Sequence, residues 1–323
     1  MAVIDVFNGD ADGLCALLQL RNAEPQDSVL VSGVKRDIAL LNRVKAAKGD
    51  KVTVLDVSLD KNRDGLAAAL AAGAEVFYVD HHFAGEIPDH PALTTHINTS
   101  ADVCTSLLVN GHLRGVFAEW AVVGAFGDNL RQSAITVAKS LDLKTDELNR
   151  LENLGIYLNY NGYGATLEDL HFEPIKLFEA MRPYSTPSAF MEGATETFEQ
   201  LEAGYHNDMR AAAALPPVHS NDNCAVYVLP NERWARRVSG VYSNDLANGN
   251  PDRAHAVLTE KANGEYLVSV RAPLNNKQGA DEFCRQFPTG GGRAAAAGIN
   301  DLPGDSLEHF CAKFDSFYRG LAK

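Results

Sequence analysis

The residues best able to do chemistry in this chain are Asp80-His81-His82, which close the apolar run Ala74-Glu75-Val76-Phe77-Tyr78-Val79. An apolar run of that length ending in a carboxylate and two imidazoles reads as a buried strand with a chemically active tip. Carboxylate and imidazole together suit Mn²⁺, Zn²⁺ or Fe²⁺. The pattern recurs upstream: Ala2–Phe7 runs into Asn8-Gly9-Asp10-Ala11-Asp12-Gly13, and Lys51–Leu55 into Asp56-Val57-Ser58. Taken alone, Asp10 and Asp12 would serve equally as an Asx-turn and a helix cap. Three successive strands ending in Asp are hard to attribute to capping alone.

Elements that can position these residues follow from the periodicity. Strands are expected at Ala2–Phe7, Val29–Val34, Lys51–Leu55 and Ala74–Val79. Between them lie an apolar helix opening at Leu14, a helix from about Ile38 to Lys48, and an alanine-rich helix capped by Asn62 and ending at Gly73. Alternating strands and helices predict an α/β fold with a parallel, doubly wound sheet. Right-handed crossovers then set Asp10, Asp12, Asp56, Asp80, His81 and His82 along one edge, at the carboxyl ends where such sheets build sites.

Downstream, a short strand at Thr95–Asn98 is followed by a helix capped by Ser100 and carrying Thr105 and Ser106. A second apolar helix, Val116–Phe126, runs into Gly127-Asp128. Residues 131–214 read as helical with an interruption at Leu158–Gly164. The run Leu215-Pro216-Pro217 stops the last helix and marks a linker. The division expected is 1–185, a helical linker over 186–217, and a smaller α/β unit over 218–323. In that unit the strands are Cys224–Leu229, Ala254–Thr259, Tyr266–Arg271 and one near Ala297–Ile299, with helices at Arg233–Leu246, Gln278–Phe287 and Ser306–Leu321.

The charge is unevenly placed. Net charge is −13, from 29 basic and 42 acidic residues, yet residues 216–323 hold 12 of each, so the excess precedes Pro216. An acidic surface disfavours a grip on long duplex DNA, where phosphate neutralisation supplies most of the affinity. Five scattered cysteines without a Cys-x-x-Cys fit reduced thiols. With no leader-like or membrane-spanning run of about 18–20 apolar residues, a soluble, cytoplasmic protein without a membrane partner is expected.

Together, Asn-Gly-Asp-Ala-Asp-Gly, Asp56-Val57-Ser58, Asp80-His81-His82 and Gly127-Asp128 resemble, in order and spacing, the four motifs of the DHH phosphoesterase superfamily. Arg271, Gly290-Gly291-Gly292-Arg293 and Ala296-Ala297-Gly298 resemble its accessory domain, called DHHA1. Size and domain order are similar to the nanoRNase and pAp-phosphatase branch, and the first motif to that of RecJ-type exonucleases.

The resemblance implies two metal ions, usually Mn²⁺, with Mg²⁺ or another divalent ion as substitutes. Asp10 and Asp56 would hold one; Asp12, Asp56, His81 and Asp128 the other, with Asp56 bridging. His82, beside Asp80, would face the scissile phosphate. Two departures stand out. Val6 occupies the position of a metal-binding His in many members, leaving Asn8 or water to help the first ion. Arg293 replaces the usual His of Gly-Gly-His, and a guanidinium still grips phosphate.

Arg271, Gly291, Gly292, Arg293, Thr105 and Ser106 would bind substrate, Thr105 and Ser106 having a simple capped helix as their rival. Lys35 and Arg36 are either phosphate contacts or an exposed charged turn. Tyr160 and Tyr163 either stack on a base or are buried; His96, His171 and His219 read as structural. The expected activity is Mn²⁺-dependent, 3′–5′ exonuclease-like cleavage of short linear oligonucleotides to 5′-mononucleotides. Alternatives are a pAp-type phosphomonoesterase, a cyclic-dinucleotide phosphodiesterase, or a nucleotide-binding protein with a degraded first metal site. Expected partners are a short oligonucleotide, a dinucleotide or a phosphorylated nucleotide; homodimer formation stays open.

Overall fold

The computed structural model describes residues 1–321. The chain divides into two compact units, 1–203 and 204–323.

The first unit opens with β1 (Val3–Phe7), α1 (Ala11–Ala23), β2 (Val29–Val31), β3 (Lys51–Leu55), α2 (Arg63–Ala71), β4 (Glu75–Asp80) and β5 (Leu93–Ile97). All five strands are parallel, in the order β2-β1-β3-β4-β5. The order reverses between β1 and β3, the switch point at which open α/β sheets bind ligands beyond their carboxyl ends. Alternate strand residues Ile4, Val6, Val52, Val54, Val76 and Tyr78 form a core with Leu66, Ala69 and Leu70 of α2. The other face is covered by α1, which is buried along most of its length.

The helical segment follows: α3 (Thr105–His112), α4 (Ala118–Gly127), α5 (Arg131–Ala138), α6 (Thr145–Gly162), α7 (Pro174–Met181), α8 (Pro187–Gly193) and α9 (Thr195–Ala213). The division between units falls inside α9, within the 186–217 segment. Helix α4 is apolar on every side because it lies within the packing, with Trp120, Val122 and Val123 fully buried. A Cβ on Gly127 would sit 2.3 Å from that of Ala11, so glycine there lets α4 close on α1 and brings Asp128 to the sheet edge.

The second unit contains β6 (His219–Ser220), β7 (Cys224–Leu229), α10 (Arg233–Gly249), β8 (Ala254–Glu260), β9 (Tyr266–Arg271), α11 (Ala280–Cys284), β10 (Gly290–Arg293), β11 (Ala296–Leu302) and α12 (Leu307–Leu321). Its sheet runs β10-β11-β9-β8-β7-β6 and is antiparallel except for the β7–β8 pair. Phe283, Phe310 and Phe314 pack against it in a single core.

Several local expectations are corrected. The segment 38–48 is one 3₁₀ turn, Leu40–Arg43, not a helix. The buried Asn62 side chain accepts from Leu41 N and donates to Ile38 O, taking backbone groups that a helix would have paired. Asn62 is thereby diverted from capping α2, at whose start it stands. Ser100 does not cap α3; that helix begins at Thr105, and its cap comes from elsewhere in the chain. Helix α6 continues through Leu158–Gly162 rather than breaking there, and Gln278–Phe287 shortens to α11. Gly290–Arg293, a glycine-rich stretch, forms strand β10.

Candidate metal centre

At the β1 tip, Asp10 Oδ1 accepts from Asp12 N and Gly13 N at 3.0 and 3.2 Å, capping α1. The carboxylate of Asp12, near the start of that helix, accepts from Thr105 N and Ser106 N, both at 2.7 Å. Asp12 thus supplies the cap of α3 across the fold, so capping accounts for hydrogen bonds of both aspartates of the first motif. Asp56 follows β3 with φ at 59°, a left-handed conformation uncommon for aspartate. Such outliers persist only where surrounding structure holds them, and Asp56 N is tied to Val79 O at 3.1 Å.

His81 closes the cluster. Its Nδ1 lies 2.9 Å from Val103 O, which can only accept, so Nδ1 carries the proton. Nε2 is turned toward Asp56, Asp128 and Asp12, at 3.5, 3.8 and 3.9 Å from their carboxylate oxygens. An imidazole oriented through Nδ1–H with its other nitrogen among carboxylates has the form of a metal ligand supported by an outer hydrogen bond. The cluster holds more negative charge than its surroundings balance. Burial, then repulsion from Asp12, Asp10 and Asp128, pushes Asp56 well above the usual carboxylate range. Burial likewise raises Asp128 to about 6. Asp12, His81 and Asp128 bring ligand atoms within 4.8 Å of one another, as do Asp56, His81 and His82, so the cluster around His81 has the donor types that fit a divalent cation.

His82 stands beside this set with its side chain 46 % exposed and Nδ1 2.8 Å from Asp80 Oδ1. Burial alone would depress its pKa, but the hydrogen bond and charge of Asp80 outweigh that, so it lies above the usual value. Asp80 is fully buried, and its Oδ2 has no partner among the described residues. Thr105 Oγ1 donates to Asp56 Oδ1 at 3.2 Å, whereas the Ser106 hydroxyl turns inward to Ala121 O. Asn8 is buried, its Nδ2 donating to Lys35 O and its Oδ1 unpartnered among the described residues.

Lys35 is neither an exposed turn nor an open phosphate contact. Its Nζ lies 2.5 Å from Asp10 Oδ2, 2.8 Å from Asn159 Oδ1 and 4.0 Å from Asp128 Oδ1. Arg36 is exposed and has no hydrogen-bond or ion-pair partner among the described residues. Tyr160 is fully buried and hydrogen-bonded to His171, so its ring offers no face to a base. Tyr163 is half-buried and carries Lys35 Nζ 5.3 Å above its ring. His96 packs edge-on against Phe77.

Sequence reasoning missed Asn159, whose signal was a polar residue on the buried stripe of α6. It also missed the wall of a cavity of about 280 Å³ beside the cluster, where Ile38, Ser58, Lys61 and Phe83 join Asp56 and His82. Phe83 is 73 % exposed. A larger groove, about 640 Å³, contains strand-start residues Val3, Lys51 and Glu75 and none of the clustered carboxylates.

In the second unit, Arg293 pairs with Ala296 and Ala296 with Arg271, placing both arginines in one cross-strand row. Arg271 Nε donates to Asn244 Oδ1 at 2.7 Å, while Arg293 is exposed and has no partner among the described residues. A Cβ on Gly292 would strike Ala297, and its φ is +141°; one on Gly291 would meet nothing within 4 Å. His219, Cys224 and Asp315 also converge in that unit. Asn221 bridges His219 and Asp315, and Arg319 holds the other Asp315 oxygen, so this group is satisfied from within.

No protein-family model matches the chain, and no curated protein matches it significantly. Solved structures do. An exonuclease RecJ bound to manganese is similar over 98 % of this chain and 90 % of its own, with TM-score 0.65 and 16 % identity. The DHH domain of a protein assigned to a family of ribosomal proteins matches over 98 % and 86 %, with TM-score 0.63 and 12 % identity. The pGpG-specific phosphodiesterase PggH of Vibrio cholerae matches over 98 % and 100 %, with TM-score 0.57 and 14 % identity. The chain is built on the fold of RecJ and of DHH-domain proteins.

Proposed function

We propose that the protein is a divalent-metal-dependent phosphodiesterase that hydrolyses short linear nucleotides, dinucleotides foremost, to 5′-mononucleotides. The observation carrying this reading is the convergence of Asp12, Asp56, Asp128 and the free Nε2 of His81 beside the Asp80–His82 pair. A divalent ion held there would neutralise phosphate charge and polarise the phosphorus. Mn²⁺ is the proposed ion, in keeping with the manganese of the similar RecJ structure. The pGpG specificity of another similar structure supports linear dinucleotides as the substrate class.

The remaining roles belong to the chain. Asp80 holds the His82 imidazole through Nδ1 and favours its protonated form, leaving Nε2–H as a donor. As water's oxygen bonds to phosphorus and the P–O3′ bond breaks, His82 passes this proton to the departing 3′-oxygen. Of the water's two protons, one stays on the new phosphate and the other leaves to solvent, from which His82 is reprotonated. One product is a 5′-phosphate and the other a 3′-hydroxyl. The cavity beside His82 has aromatic and aliphatic walls in Phe83 and Ile38 for a base, with Lys61 near the phosphate. Within the second unit, Arg293 and Arg271 share one row and offer guanidinium contacts for a phosphate, with open space at Gly291. Charge repulsion from the acidic first unit favours short substrates over long strands.

5′-Labelled dinucleotides incubated with Mn²⁺ test this reading, with pAp and a cyclic dinucleotide in parallel. The expected result is chelator-sensitive release of mononucleotides, fastest from the linear dinucleotide. Absence of chelator-sensitive cleavage of every dinucleotide rejects it.

A further inference from the structure

We propose that Lys35 is the resident cation on the Asp10 side of the site, so that the site takes one divalent ion, on Asp12, Asp56, His81 and Asp128. This inference rests on the metal-dependent reading above and specifies the number of metal ions and the residue that sets it.

The site divides into a half already supplied with a cation and a half that is not. On the supplied side, Asp10 spends Oδ1 on Asp12 N and Gly13 N and gives Oδ2 to Lys35 Nζ at 2.5 Å. The ammonium's other donors meet Asn159 Oδ1 at 2.8 Å and face Asp128 Oδ1 at 4.0 Å, with the Tyr163 ring alongside. A lysine ammonium donates only, and here it meets an anion, a neutral acceptor and a π-face. The lysine is also anchored by its backbone. Lys35 N donates to Gly162 O at 2.9 Å, and Lys35 O accepts from Asn8 Nδ2 at 3.2 Å. Val6, fully buried in the sheet's core, offers no ligand atom to this side.

On the other side the carboxylates are short of cations. Lys35 Nζ comes no closer to Asp128 Oδ1 than 4.0 Å, and no lysine or arginine hydrogen-bonds Asp12, Asp56 or Asp128 among the described residues; these three instead surround His81 Nε2 at 3.5–3.9 Å. A second divalent ion using Asp10 would have to share Oδ2 with the ammonium, and two cations at bonding distance from one oxygen repel strongly. Asn159, which has no ionisable group, completes the lysine's coordination without adding charge. The arrangement therefore substitutes a fixed monovalent charge for one metal ion.

Metal content and spin coupling test the inference without an activity assay. The intact protein is dialysed against saturating Mn²⁺, its bound Mn²⁺ counted by mass spectrometry, and its electron paramagnetic resonance spectrum recorded. The expected result is one Mn²⁺ per chain with the six-line spectrum of an isolated ion. Lys35→Met, which keeps the hydrocarbon stem and removes the charge, is expected to bind a second Mn²⁺ and show an exchange-coupled spectrum. Two coupled ions in the unaltered protein overturn the inference while leaving the phosphodiesterase reading intact. One ion in both proteins shows that Lys35 does not exclude the second, which also overturns it. No bound Mn²⁺ in the unaltered protein instead removes the metal-dependent reading itself. Should Lys35→Met fail to fold, the count and spectrum of the unaltered protein still decide between one ion and two.

Discussion

Asp5 and Asp56 lie on neighbouring parallel strands or just beyond them, both almost wholly buried, and their charges are handled in opposite ways. Asp5 receives Arg21 Nη2 and Nε at 2.7 and 2.8 Å and the Ser28 hydroxyl at 2.6 Å. Asp56 receives one hydroxyl, from Thr105, and otherwise faces carboxylates and imidazoles. A buried charge completed by the chain holds the fold together; one left incomplete is open to a cation from solution, the role the proposed function gives Asp56.

Substitution at each pole gives the largest contrasts. Asp56→Ala is expected to abolish phosphodiesterase turnover while the metal-free protein melts at the same or a higher temperature, because repulsion is relieved. Near-normal turnover of Asp56→Ala at saturating Mn²⁺ would mean that Asp56 holds no metal. Arg21→Ala should do the reverse. It leaves Asp5 buried without its partner, a loss of about 3–5 kcal/mol in stability, read by urea denaturation, with per-molecule activity of the folded fraction retained. If the two variants behaved alike, the distinction between completed and incomplete charges would collapse.

The contrast extends to arginines on a smaller scale. Arg293 has no partner among the described residues, unlike Arg21, so Arg293→Ala should cost no thermal stability. Its KM should rise roughly ten- to a hundredfold, the effect of losing a charge-assisted phosphate contact. Arg293→Lys should recover part of this, and Arg293→His should make KM larger at pH 8 than at pH 6. An unchanged KM in all three places Arg293 outside substrate binding.

The smallest effect is in pH. Asp128, raised from an ordinary value of 3.8 to about 6, contributes stability to the metal-free protein that is present below pH 3.8 and lost as pH rises through about 6. Asp56 is shifted in the same direction. Metal binding requires the deprotonated carboxylates, so its stabilising effect should grow over that same interval. Melting temperatures with and without chelator at pH 5 and 7.5 should therefore diverge toward the higher pH. Equal metal-induced shifts at both values would contradict the clustering of these charges.

The sheet and its tips were legible because buried parallel strands are long apolar runs and Asp10, Asp56 and Asp80-His81-His82 interrupt them abruptly. Asp128 was reached through its apolar helix. Lys35 was not resolved, since its partner Asn159 lies 124 residues away and the intervening pattern gives no hint of their meeting. The segment after it read as a helix because Leu40 and Leu41 supply an apolar stripe. The Asn62 side chain overrides that stripe by a long-range bond that no local propensity registers. Ser100 failed as a cap for the same reason: the cap came from Asp12, 93 and 94 residues away.

That distant cap makes α3 a reporter on the centre. Both Asp12 oxygens accept from the amides of Thr105 and Ser106, so any ion that draws electron density from Asp12 weakens those two bonds. In ¹⁵N-resolved spectra the Thr105 and Ser106 resonances should move when a diamagnetic divalent ion such as Mg²⁺ is titrated, giving a residue-specific occupancy signal without any substrate present.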